Sequence, residues 1–187
     1  MATFFGLGDS VLRRVLVEGQ GVSTSRIYGK LVVDLCIGGQ TISQLRKRVE
    51  RSRSDESEWF VPRNTPLVVL IGTNDILRSG RASVVFNNLK RLLITLEKWS
   101  RITPITLCTL PPIKHASPDV RHQLHKYNTS IRTLCSNRCD VFRLLDLYAL
   151  LDAENYEGHF FERDGIHPNR EGLLRIYDSI SNFVGIV

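Results

Sequence analysis

The stretch PLVVLIG, residues 66–72, constrains the fold more than any other part of the chain. It is a fully apolar run bounded by Pro66 and Gly72, the pattern of a buried β-strand. Four more strand-like runs accompany it: TFFGL, KLVVDLCI, ITPITLCTL and CDVFRLL. Between them the periodicity turns helical. SVLRRVLVEG ends on a glycine stop, and Ile42, Leu45 and Val49 recur at helical intervals in GGQTISQLRKRVERSR. Residues 81–99 carry an apolar stripe of Val84, Val85, Leu89, Leu92, Leu93 and Leu96. Residues 118–136 are helical and LDLYALL begins a further turn of helix. PNREGLLRIYDSISNFV is amphipathic, with Pro168 where a helix start tolerates it. The polar, proline-punctuated SRSDESEWFVPRNTP reads as a loop. Five strands joined by helices predict an α/β fold with a parallel sheet, helices on both faces and right-handed crossovers. Functional groups in such a sheet gather just beyond the carboxyl ends of the strands.

A single domain over residues 1–187 is long enough to bury a substantial core, and 42% hydrophobic with 24% charged residues excludes a disordered or fibrous chain. No apolar run approaches the roughly 20 residues of a membrane span. The start, MATFFGLGDS, lacks the basic residues and long apolar stretch of a signal peptide, so an intracellular, cytoplasmic protein is expected. Cys36 and Cys108 lie in strand-like runs and are expected as buried thiols. Cys135 and Cys139 have a spacing able to ligate a metal, but no second pair or flanking histidine accompanies them. Structural thiols are the expectation there.

The 25 Lys and Arg outweigh 19 acidic residues, a net charge of +6 that favours anionic partners. The excess gathers in Arg46, Lys47, Arg48, Arg51 and Arg53, and again in Arg13, Arg14, Lys90 and Arg91. A charge run of this kind is either a solvated helix face or a surface for phosphates.

Four short stretches fall at strand ends. After the first strand comes Gly8-Asp9-Ser10, where Asp9 or Ser10 can cap a helix or Ser10 can act as a nucleophile. Arg13 occupies the capping-box position, and basic residues in a first helical turn oppose the helix dipole. After the second strand, Gly38-Gly39-Gln40 can form a tight turn or expose a backbone N–H toward a developing oxyanion. After the third, Asn74 and Asp75 of Gly72-Thr73-Asn74-Asp75 can cap or form an Asx turn, and Asn74 can aim its amide into the same cleft. Asp164 and His167, three apart across Gly165, suit a base and its orienting carboxylate. Together they supply a nucleophile, oxyanion donors, a base and an orienter.

This ordered set, Gly8-Asp9-Ser10, Gly39, Gly72-Thr73-Asn74-Asp75 and Asp164-Gly165-Ile166-His167-Pro168, resembles the SGNH (GDSL-type) hydrolases over essentially the whole chain. Leu110-Pro111-Pro112, Tyr127-Asn128 and Asp146-Leu147-Tyr148 are smaller echoes. The resemblance implies a three-layer flavodoxin-like sandwich with a five-stranded parallel sheet in the order 2-1-3-4-5. It implies a serine esterase or deacetylase acting on a small or polymeric ester. Ser10 would be the nucleophile, His167 the base and Asp164 its orienter. The oxyanion hole would come from the Ser10 and Gly39 N–H groups and the Asn74 side chain. No metal or organic cofactor is implied. Asp34 and Gln40 stand where the family commonly has Asn and Asp, and Arg13-Arg14 replace a small or polar run. The loop around Trp59-Phe60 could fold over the entrance. More remotely, the chain resembles the SGNH-like RNA-binding domain of the Oskar protein. That alternative makes it a nucleic-acid binding module, with Arg13, Arg14, Arg46, Lys47 and Arg48 contacting RNA or the substrate.

Overall fold

A computed structural model describes residues 4–18, 26–27, 30–52, 66–78, 80–98, 104–152 and 159–183. The apolar runs become strands where expected. β1 (Phe4–Gly8) and β4 (Leu67–Leu70) are buried at every residue, as strands covered on both faces must be. β3 (Lys30–Asp34), β5 (Ile105–Cys108) and β6 (Phe142–Leu145) complete a parallel set in the spatial order β3-β1-β4-β5-β6. This is the expected order 2-1-3-4-5. A two-residue strand, β2 (Arg26–Ile27), adds an antiparallel pairing to β3 at the sheet edge. Nothing in the alternation of apolar runs announced so short an element.

β1 pairs with β3 on one side, Phe4 opposite Val32, and with β4 on the other, Phe5 opposite Leu67. The chain therefore steps one way from β1 to β3 and the opposite way through β4, β5 and β6. Right-handed crossovers then put the helix joining β1 to β3 on one face and the helices joining the later strands on the other. Accordingly α1 (Ser10–Glu18) packs against the last helix, α7 (Arg170–Phe183), while α2 (Ile42–Ser52), α4 (Ala82–Glu97) and α5 (Pro118–Asn137) contact one another in series. Short helices α3 (Thr73–Leu77) and α6 (Leu147–Leu150) follow β4 and β6 directly. α3 was legible only as capping residues, because a helix of one and a half turns leaves no periodic stripe.

The expected stripe of α4 needs one correction. Val84 is 55% exposed, whereas Val85, Leu89, Leu92, Leu93 and Leu96 are buried together with Ala82. One residue is about 100° of helix, which carries Val84 off the core-facing arc. Cys36 and Cys108 are buried as expected; Cys135 is buried and Cys139 exposed, all four as free thiols. Among the described residues no group of His, Cys, Asp or Glu could hold a metal, and no helix is long and apolar enough to cross a membrane. The Trp59-Phe60 loop and Arg53 lie outside the described residues.

Candidate active site

All four sequence blocks meet at the carboxyl edge of the sheet. In Gly8-Asp9-Ser10 the two polar side chains make separate contacts. Asp9 Oδ1 accepts the Val11 N–H at 3.0 Å, and the Asp9 carbonyl accepts the Arg13 N–H. Asp9 thereby takes the cap, and the Ser10 hydroxyl is left to meet His167 Nε2 at 2.9 Å across 157 residues of chain. Gly8 is needed for the close approach that makes this turn: a Cβ there would come 2.3 Å from the Leu70 carbonyl oxygen.

Asp9 is completely buried, and that burial pushes its carboxyl up to about 6 against the help of the Val11 N–H and nearby Thr73 and His167. Thr73 Oγ1 lies near enough to favour the charged form, but neither it nor Asp9 Oδ2 completes a well-formed hydrogen bond.

His167 sits in a loop held from both sides. Its carbonyl accepts the Glu162 N–H at 2.8 Å, and the Gly165 carbonyl accepts the Lys114 N–H at 2.8 Å. Gly165 adopts φ 67° with its Cα against His115, where an added Cβ would come within 2.7 Å of the imidazole. Asp164 Oδ2 meets His167 Nδ1 at 2.6 Å, while its Oδ1 accepts the N–H groups of Ile166 and His167. Partial burial alone would raise the Asp164 carboxyl, but the imidazole and the two backbone donors outweigh it and hold it down at about 2.

The second and third blocks are fastened to one another. Asn74 Nδ2 donates to the Gln40 carbonyl at 3.1 Å, and Asp75 Oδ2 accepts the Ile42 N–H at the start of α2 at 3.0 Å. Asp75 is thus a cap, as the residue types allowed, but for a helix in another block. Thr41 and Gln44 add a capping box of their own: Gln44 Oε1 accepts the Thr41 N–H at 2.9 Å and Thr41 Oγ1 accepts the Gln44 N–H. Arg48 reaches back from α2, donating to Gln40 Oε1 at 2.9 Å and to the Leu35 carbonyl at 3.1 Å. Between these ties Gly39 turns with φ 73°, and no atom lies within 4 Å of where a Cβ would stand. Gly39 is therefore set by backbone conformation, with open space beside it.

The third block has its own brace. Tyr127, fully buried, donates its hydroxyl to the Ile71 carbonyl at 2.9 Å, and its ring lies against Gly72, which has φ 128°. Asn128 exchanges two hydrogen bonds with the Leu110 backbone. Asp146 accepts from Thr109 and, at 2.7 and 3.0 Å, from both arms of Arg132. These are the smaller echoes noted in the sequence, and each pins a strand end.

The basic clusters separate. Lys47, Arg48 and Arg51 line a cavity of about 360 Å³ together with Gly38, Gly39 and Gln44. Arg46 points elsewhere and pairs with Glu50 at 3.7 Å. Arg13 and Arg14 lie on α1 and are not part of that cavity's lining.

A doubly wound sheet with these four blocks in this order at its carboxyl edge defines an α/β protein of the SGNH-hydrolase type. Comparison with known proteins agrees. The family model for GDSL-like lipases and acylhydrolases matches residues 7–173, and the chain belongs to that family. No curated protein matches it by sequence. Among solved structures it is similar to a member of the lipolytic G-D-S-L family from Veillonella parvula, with TM-score 0.79, 14% identity and all of both chains covered. It is also similar to an acetyl xylan esterase, with TM-score 0.73, 20% identity and coverage of 97% of this chain and 99% of the other. An acetylxylan esterase from Geobacillus stearothermophilus gives TM-score 0.74, 15% identity and coverage of 98% and 94%.

Proposed function

We propose that this acylhydrolase-family chain is a serine esterase that works through an acyl-enzyme. The observation that carries the reading is the unbroken relay from Ser10 Oγ to His167 Nε2 at 2.9 Å and from His167 Nδ1 to Asp164 Oδ2 at 2.6 Å. Ser10 Oγ attacks the ester carbonyl carbon as its proton passes to His167 Nε2. Asp164 holds the Nδ1–H tautomer and stabilises the imidazolium; its low-lying carboxyl stays ionised throughout.

Negative charge develops on the carbonyl oxygen in the tetrahedral intermediate. The N–H groups of Ser10 and Gly39 and the second amide hydrogen of Asn74 are its donors. Asn74 spends one hydrogen on the Gln40 carbonyl and so is oriented before substrate arrives. Collapse expels the alkoxide, which leaves as the alcohol with the proton from His167. Water then attacks the acyl-enzyme, gives a proton to His167, and Ser10 regains it as the acid departs.

The test is hydrolysis of p-nitrophenyl acetate by the purified chain and by Ser10→Ala. The reading expects turnover that the substitution abolishes while the fold, measured by circular dichroism, persists. Turnover that survives Ser10→Ala would sink the mechanism.

A further inference from the structure

We infer that the cavity beside Gly39 is a subsite for an anionic group carried by the ester substrate, a carboxylate, phosphate or sulfate within one side-chain length of the scissile carbonyl. This rests on the esterase reading and names its substrate class. Three observations lead to it.

First, the helix spacing is selective. Gln44, Lys47, Arg48 and Arg51 stand at i, i+3, i+4 and i+7 of α2, a single face turned away from the buried core positions Ile42, Leu45 and Val49, and all four line the cavity. Lys47 and Arg51 reach it from exposed positions, and among the described residues the cavity's lining includes three cations and no acidic residue. The acidic residue on this helix, Glu50, is turned away and paired with Arg46. Asp34 is near enough to Arg48 to favour its charged form.

Second, the cavity borders the turn that the esterase reading gives to the oxyanion, since Gly38 and Gly39 both line it. A Cβ on Gly38 would stand 4.0 Å from Ser10 Cβ, and the space next to Gly39 is open. A substrate held with its carbonyl oxygen at the Gly39 N–H can extend directly toward Lys47 and Arg51.

Third, the wall is braced. Arg48 is held by Gln40 and Leu35, Arg78 donates to the Gly39 carbonyl at 3.4 Å, and Asp75 caps the helix that carries the cations. A wall and a helix start held before binding lose less entropy when an anion is bound beside them.

The experiment compares kcat/KM for two matched pairs of esters. On the alcohol side, 4-acetoxybenzoate is set against 4-acetoxybenzamide. On the acyl side, mono(4-nitrophenyl) adipate is set against its methyl diester. A preference for the anionic member of at least about fivefold at low salt is expected in one pair, shrinking as added salt screens it. Lys47→Glu with Arg51→Glu should reverse that preference. Ser10 labelling by a neutral fluorophosphonate with equal turnover of both members of both pairs would overturn the subsite and leave the nucleophile standing. Absence of labelling and of turnover on all four esters would overturn the esterase reading and the subsite with it. Salt-sensitive retention of oligouridylate that the double variant abolishes, without any charge preference among the esters, would assign these cations to RNA and likewise overturn the proposal.

Discussion

The side-chain amide of Asn74 donates a hydrogen bond to the backbone carbonyl of Gln40 over 3.1 Å, so the turn that carries Gly39 is tied to the end of β4. One hydrogen of the amide orients the residue, and in the proposed mechanism the other is left for the oxyanion. Asn74→Ala is expected to lower kcat by about 10²–10³-fold, the usual effect of losing one oxyanion donor, with a much smaller change in KM. Steady-state kinetics on p-nitrophenyl acetate check this; a loss confined to KM would contradict it.

Asp164 and His167 set a second expectation. The folded-state carboxyl lies at about 2, below its ordinary 3.8, so its contribution to stability is complete above the ordinary value and is lost as pH falls through about 2. With 46% of its side chain exposed, solvent screens much of that contribution. Its larger effect is on turnover: Asp164→Asn should cut kcat by about 10²–10⁴-fold while thermal stability at pH 7 changes little. A variant that unfolds at neutral pH, or one with unchanged kcat, would count against the orienting role.

Asp9 works with the opposite sign. Burial raises its carboxyl to about 6 in the folded chain, so it binds its proton more tightly folded than unfolded. Relative to the unfolded chain it favours folding fully below about pH 4 and loses that advantage as pH rises through about 6. Asp9→Asn keeps an acceptor for the Val11 N–H and removes the buried charge. Urea denaturation should find the variant more stable than the parent at pH 8, by on the order of 2 to 3 kcal/mol, and little different at pH 4. An equal difference at both pH values would show that the charge is not the cause.

The brace behind the third block is open to a paired test. Gly72→Ala would bring a Cβ within 2.9 Å of the Tyr127 hydroxyl, at a φ of 128° that side chains rarely adopt. It should cost at least about 2 kcal/mol. Tyr127→Phe removes only the hydrogen bond to the Ile71 carbonyl and should cost about 1 kcal/mol. Chemical denaturation separates the two, and a Gly72→Ala chain as stable as the parent would contradict the packing described.

Much of this was legible in the sequence because parallel strands covered on both faces are continuous apolar runs. Leu67–Leu70 and Ile105–Cys108 announce themselves, and the residues following each strand end up at one edge of the sheet. The meeting of Ser10 with His167 could be anticipated from block order alone. Which of Asp9 and Ser10 caps the helix could not be read, because both residue types cap helices and only the fold sets Ser10 against His167. The cap that Asp75 supplies to Ile42 crosses 33 residues, and no local pattern signals it. The basic run RKRVERSR likewise hides that Arg46 and Lys47 face different surroundings, since that depends on how α2 is rotated against α4.

Covalent trapping tests most directly whether Ser10 is a nucleophile activated by His167. Incubation with a fluorophosphonate probe followed by peptide mass spectrometry should find one equivalent of label on the peptide containing Ser10. Ser10→Ala and His167→Ala should both lose it. An unlabelled parent chain, or label that persists in Ser10→Ala, would contradict the account.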